Sequence, residues 1–490
     1  MTIRASLLLA AVAVGTQGFA DKPTMIVADD FGAYFKGADN AMTKEGLEAY
    51  ADGLVAGGQV THVFWCPVAG RANFDAKATD PIWKGREDAA TKFALARESQ
   101  AVADANRRWA ENVQKLNDAG IDPYKVWIDR TRAKGVSPWI SIRLTDTQYA
   151  SDPAYFRTPS IFAQHPDWLL KSGGHGGGAA DYAHGELRDW FKQVVAETVA
   201  RYKDVDGVEI DCISGNNYWT FLPHDMPNGR PKREVFNGFI GELKQIVREA
   251  SGKKDLPLAL RIVSDTNLFV PNFMDGNLPA DILIPSGDTP TLLRDWQRFS
   301  RTTSARIMPA FACRGSLPQV AGQLGRVRGC GFPGVMLTGV HVSAPDVRAA
   351  LAAGKLGGPT GPREIAMGAE QHMLEWKRAA WGYVDCRTTF PWKLDWTYEG
   401  EFALERGSVA ETSVTVVLNG NFRTASPKTV ILNGWQPTGV TTKGNILVYA
   451  FPKESVVDGV NQIVIPAVQP AGTPVKELAS VNQITVKIDR

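Results

Sequence analysis

The chain has 490 residues, more than one ordinary domain holds, and its 44% hydrophobic and 22% charged residues describe a globular protein with ample core. Lys and Arg number 54 against 52 Asp and Glu, so there is no net field to draw nucleic acid or an anionic membrane surface. Fourteen Trp and 21 Phe leave a sugar ligand open, because sugar rings stack an apolar face on aromatic side chains; most of these rings belong in the core.

Residues 1–20 read as a signal peptide. Arg4 supplies the positive start, 6–15 the short apolar run, and Gly18 and Ala20 the small residues of a cleavage site. Cleavage after Ala20 and export to the periplasm or the medium are expected. No later run of 18 apolar residues follows, so membrane insertion is not expected.

Eight short apolar segments come next, at 25–30, 62–67, 138–145, 207–212, 258–264, 281–286, 306–313 and 334–340. Each is rich in β-branched or aromatic residues and bounded by Gly, Pro, Asp or Ser, as strands are. They are continuous apolar runs rather than strict alternations, which fits parallel strands buried on both faces. Helical spacing separates them at 43–57, 122–135, 187–203, 233–251, 292–300 and 318–330, and 362–381 is expected as a closing helix. An insertion over 70–117 carries a further predicted helix at 87–116. Eight strands alternating with helices predict an α/β fold, a (β/α)8 TIM barrel over 21–395. The alternative, an open doubly wound sheet, lacks a GxGxxG or P-loop after its first strand. From residue 396 the texture changes. Segments at 414–421, 429–435, 446–451, 461–467 and 483–489 alternate apolar and polar residues between Asn-Gly and similar turns. They predict a small all-β sandwich over 396–490, packed on the barrel.

The five Cys have no regular spacing and make no disulfide framework; Cys66, Cys212 and Cys313 end apolar runs and read as small buried hydrophobes. There is no CxxC, HExxH or HxH and the seven His do not cluster, so neither a metal nor another cofactor is expected.

In a barrel the reacting groups stand at the C-terminal ends of the strands. Those ends carry Asp29 and Asp30, then Arg143 and Asp146, then Glu209 and Asp211. Arg261 and Asp265, Asp288, Arg314 and His341 follow. Cleavage of a glycosidic bond needs two carboxyl groups, one to donate a proton and one to act as base or nucleophile. Strand parity points Glu209 and Asp211 into the barrel, with Arg143 and Arg261 on the neighbouring strands. Asp211 then sits at the mouth. Glu209, one layer down, is either a reacting group or half of a structural ion pair with one of those arginines. Asp288, Asp265 and Asp146 are candidates for the proton donor; each is equally readable as a helix cap or turn residue, Asp288 especially, since Thr289-Pro290 and a helix follow it.

The run RYKDVDGVEID at 201–211 resembles the RYDVDGIELD block of the glycosyl hydrolase-like 10 family and related bacterial barrel proteins. HPDWLLK at 165–171, DYAHGELRDW at 181–190 and SPWISIRLTD at 137–146 are further matching pieces, and the resemblance runs over about 25–337. It implies a TIM-barrel hydrolase of polysaccharide with Asp211 in the active centre. By analogy with barrels that use carboxylates on strands 4 and 6, it pairs Asp211 with Asp288. The chain departs from the pattern directly after Asp211, where Cys212-Ile213-Ser214 replaces the usual aromatic or Arg. Trp65, Trp139, Trp168, Tyr182, Tyr218 and Trp219 are candidates to stack on sugar rings, and His165 and His184 to bond hydroxyls. Asp30, Arg143, Asp146, Arg261 and His341 complete the expected substrate-binding set. A carbohydrate substrate is the expected partner. A non-catalytic sugar-binding barrel and a metal-dependent hydrolase using Asp29, Asp30, His341 and another carboxylate are the alternatives.

Overall fold

The computed structural model describes residues 24–84, 99–144, 155–169, 180–213, 232–263, 278–287, 290–300, 303–356, 363–367, 392–393, 398–404, 413–457, 459–469 and 479–488. Eight parallel strands close into a barrel: β1 (Thr24–Ala28), β2 (His62–Ala69), β3 (Ser137–Arg143), β4 (Val208–Asp211), β5 (Leu258–Val263), β6 (Ile282–Ser286), β7 (Ala310–Ala312) and β8 (Gly334–Thr338). Each pairs with the next in sequence, and β8 pairs back onto β1, so the expected (β/α)8 barrel is the fold. The stretch predicted as strand 7 is broken. Arg306–Ile307 pairs with β6 ahead of β7, and Pro309, which has no N–H for the ladder, sits in the gap.

Between the strands lie α1 (Lys44–Val55), α2 (Gln100–Asp118), α3 (Pro123–Ala133), α4 (Gly185–Arg201), α5 (Lys232–Ser251), α6 (Pro290–Phe299), α7 (Leu317–Gly329) and α8 (Pro345–Ala352). The start and stop signals act as expected at α3: the Asp122 carboxylate accepts from Tyr124 N and Lys125 N, and Gly135 follows the helix at φ +73°.

Strand alternation divides the core in two. Ile140, Ile142, Val208, Ile210, Leu260 and Ile262 face outward and join the helices in one large apolar cluster. Ile26, Phe64, Trp139, Ala259, Ile284, Ala310 and Met336 face inward and fill the barrel. Trp139 is the inner layer's largest member. Its ring stacks on Phe64 at 4.8 Å and 7°, and it covers Gly207, where an added Cβ would lie 2.4 Å from the indole.

The C-terminal region forms two antiparallel sheets. Its strands are β9 (Arg363–Met367), β10 (Trp392–Lys393), β11 (Tyr398–Leu404), β12 (Ser413–Asn421), β13 (Ile431–Leu432), β14 (Gly439–Lys443), β15 (Ile446–Pro452), β16 (Gly459–Ile465) and β17 (Ser480–Ile488). One sheet runs β9-β17-β12-β15-β14, with β10 also on β17; the other runs β11-β16-β13. Inward residues of both, among them Phe402, Val416, Leu432, Tyr449, Ile463 and Val486, form one core. The region packs on the barrel through α6 and α7 against β11 and β16, and Val460 meets the barrel's apolar cluster.

One expected element is corrected. Arg363–Met367, predicted as the start of a closing helix over 362–381, is a strand paired antiparallel with β17. The helix after β8 is α8 instead. Five backbone positions in register with a long strand outweigh a helical spacing that local sequence only weakly prefers. The C-terminal sheet therefore recruits chain from before residue 396. The rest of 362–381 lies outside the described residues, as does the first part of the predicted helix at 87–116.

Candidate active site

The site is built on the ends of β1, β3, β4 and β5. Ile26 and Ala28 face into the barrel, and the same alternation turns Asp30 inward and Asp29 outward. The two neighbouring carboxylates consequently meet different surroundings.

Asp29 is buried and accepts a hydrogen bond of 2.8 Å from the Tyr50 hydroxyl on α1. Burial pushes its carboxyl up to about 7, and the nearby Asp30 charge adds to this against the opposing Tyr50 bond. The unfolded chain releases this proton near the ordinary value of 3.8, and the folded chain holds it to about 7. The folded state thus binds more protons between these limits, so stability is greatest below the lower one and falls as pH rises to the upper. Asp29→Asn is expected to flatten that decline in urea midpoints recorded from pH 4 to 7. A slope identical to the wild type would show that Asp29 does not titrate in this window.

Asp30 is the exposed member, its side chain 45% accessible. Burial of its surroundings opposes its charge, but the Arg143 guanidinium, by charge and by a hydrogen bond from Nη2, holds the carboxyl down to about 2. His341, after β8, places Nε2 3.7 Å from the other Asp30 oxygen. Burial lowers the imidazole below its ordinary 6.5, against the pull of Asp30.

Glu209 and Asp211 point inward as parity predicts, and neither has any accessible surface. Asp211 stands across the ladder from Arg143 on one side and Arg261 on the other. Its Oδ2 lies 3.3 Å from Arg261 Nη1 and 3.8 Å from Arg143 Nε, and its Oδ1 accepts from Ile213 N at 3.0 Å. Glu209 forms an ion pair with Arg261, which donates Nε to Oε1 at 2.9 Å and Nη2 to Oε2 at 2.8 Å. The carboxylates of Glu209 and Asp211 raise the Arg261 guanidinium above its ordinary value despite burial, so it keeps its charge. The mouth thus holds a row of alternating charges: Glu209, Arg261, Asp211, Arg143 and Asp30.

The structure brings together Asp30, Arg143, Glu209, Asp211, Arg261 and His341 from the predicted set. Trp65 is elsewhere. It faces the helices, is fully buried, stacks on Trp127 at 4.9 Å and donates Nε1 to Thr131 Oγ1. Trp139 lies in the barrel interior beneath the charged row, and Tyr182 is buried with its hydroxyl donating to Leu144 O. Trp168 is buried and stacks on His165 at 4.0 Å, and His184 precedes α4 with Nε2 3.9 Å from Asp181. Asp146, Tyr218, Trp219, Asp265 and Asp288 lie outside the described residues. Tyr50, which no sequence motif marks, partners Asp29 from α1 on the helix side of the barrel wall, beside Trp65 and Trp127; only the outward parity of Asp29 hints at such a partner. Asp29 turns away from Asp30 and His341. Among the described residues no group of three or more His, Cys, Asp or Glu could hold a metal ion. Cys66, Cys212, Cys313 and Cys330 are buried free thiols.

Comparison with known proteins adds to this geometry. The model of the glycosyl hydrolase-like 10 family matches residues 99–220, which include β3, β4 and Asp211. A glycosyl hydrolase, DigH, from Escherichia coli K12 is 31% identical over 162 residues, covering 28% of this chain. The match spans 34% of that protein, about a third of its length. The glycoside hydrolase domain of PgaB (BpsB) from Bordetella bronchiseptica superposes with a TM-score of 0.43 at 12% identity, over 69% of this chain and all of that one. A putative α-L-fucosidase from Bacteroides thetaiotaomicron gives 0.37 at 11% identity, over 96% and 95%. At such scores the structural likenesses carry no argument about chemistry. The sequence matches support a glycoside hydrolase-like family, and the family model covers the segment that builds β3, β4 and Asp211.

Proposed function

We propose that this chain is an exported glycoside hydrolase that cleaves a poly- or oligosaccharide at the C-terminal mouth of the barrel. The observation that carries the reading is the buried Asp211 carboxylate at the end of β4, framed by two guanidiniums inside the family-matched segment. Opposite charges within about 4–6 Å favour the charged form of a carboxyl. Asp211 is therefore suited to the nucleophile or base and not to the proton donor. Asp30, held down to about 2, is no donor near neutrality either. We assign the donor to Asp288, with Asp265 as its alternative. Asp30, Arg143 and His341 would meet sugar hydroxyls at the mouth, joined by Asp146, Tyr218 and Trp219.

The guanidiniums that hold both Asp30 and Asp211 at the mouth favour a second reading, sugar binding without cleavage. A glycan panel incubated with the wild type and with Asp211→Asn separates the two. Released product that the substitution abolishes supports hydrolysis, and saturable binding with no product after long incubation supports the second reading. The export step is read from the N-terminal mass of protein recovered outside the cytoplasm, expected to begin at Asp21.

A further inference from the structure

Glu209 and Arg261 lie in the same buried cluster as Asp211, yet the geometry gives them a different task. Arg261 stands directly across the ladder from Asp211, and Glu209 lies two residues before Asp211 on the same face of β4. The residue opposite Glu209 on β5 is Ala259. Its small side chain leaves the space in which Arg261 folds back one layer to reach Glu209. A guanidinium is planar and rigid. Once Glu209 engages Nε and Nη2, at 2.9 and 2.8 Å, the direction of the third nitrogen is set as well. That nitrogen, Nη1, is the one 3.3 Å from Asp211 Oδ2. Glu209 and Asp211 have no accessible surface and Arg261 has 7%, so water screens little of this pairing.

We infer that Arg261 is a positioning residue that fixes the Asp211 carboxylate, and that Glu209 acts one step further back by orienting Arg261. Glu209 neither donates nor accepts a proton in the reaction. The inference rests on the proposed reacting role of Asp211 only for its kinetic consequences; the electrostatic coupling stands by itself. It separates the two acids of the VEID segment by depth. The outer one is the proposed reacting group, and the inner one maintains the guanidinium that holds it.

The test follows the Asp211 carboxyl carbon by 13C NMR across pH in the full-length wild type, Arg261→Lys and Glu209→Gln. In parallel it records the pH dependence of kcat and KM on whichever glycan the wild type cleaves. Arg261→Lys keeps the charge and loses the fork; Glu209→Gln keeps the shape and loses the anchor charge. In both, the Asp211 midpoint is expected to move up by about one pH unit. The acid limb of kcat should move with it, and kcat should fall about tenfold at nearly constant KM. Glu209→Asp, which retains the charge with a shorter reach, should recover part of the loss and covers the case in which Glu209→Gln does not fold. A folded Arg261→Lys protein whose Asp211 titrates as in the wild type overturns the inference. If the wild type cleaves no glycan and the midpoint still moves, the proposed hydrolysis fails and the coupling survives. If cleavage is found and neither the midpoint nor kcat responds, the coupling alone fails.

Discussion

Asp211→Asn is expected to lower glycan hydrolysis by on the order of 10²-fold or more, because an amide can act neither as base nor as nucleophile. The change is close to isosteric, and the backbone N–H of Ile213 that bonds Oδ1 can bond an amide oxygen as well. The cost to the fold comes from the guanidiniums. Arg143 and Arg261 lose the carboxylate they share but keep Asp30 and Glu209. Breaking a buried ion pair outright costs about 3–5 kcal/mol, so a loss at or below the lower end of that range is expected here. Progress curves for wild type and variant at matched folded fraction, set by urea titration, separate the two effects. Equal rates would remove Asp211 from the reaction.

The largest effect on stability is expected from Trp139→Ala. The side chain is 3% exposed, stacks face to face on Phe64, and is the largest ring of the inner cluster. The strands around it are closed on themselves and cannot collapse onto the space left behind, so about 3–5 kcal/mol is expected. Gly207→Ala tests the same contact from the other side, since its Cβ would enter the indole ring at 2.4 Å. Overpacking of this kind costs about 1–3 kcal/mol. In the double variant the added methyl meets no ring, so the two losses should be clearly less than additive. Denaturant midpoints of the four proteins measure the coupling. Full additivity would mean that Trp139 does not press on residue 207.

Much of the fold was legible along the chain because buried parallel strands are short apolar runs. The eight runs from 25–30 to 334–340 all correspond to barrel strands. The inward orientation of Glu209 and Asp211 was also legible, since alternation along a strand is a local property. The strand at Arg363–Met367 was not, because its partner lies more than a hundred residues later in β17. The role of Trp65 was misleading for a similar reason. Its place in the predicted run 62–67 suggests a strand end at the mouth, but it stands in the middle of β2, and its parity and the Trp127 ring of α3 place it against the helices.

By itself the amino-acid sequence determined the barrel, the antiparallel region after it, and which faces of the strands carry charge. These follow from periodicity, which each segment carries alone. Only the tertiary structure decided how the charges divide. It showed that Asp29 leaves the mouth for Tyr50, that Arg143 links Asp30 to Asp211, and that Arg261 joins Glu209 to Asp211. Those pairings depend on ladder register and on helices packed across the barrel wall. They bring together residues 21 to 113 positions apart, and the energy of a buried charge is set by such neighbours rather than by its place in the chain.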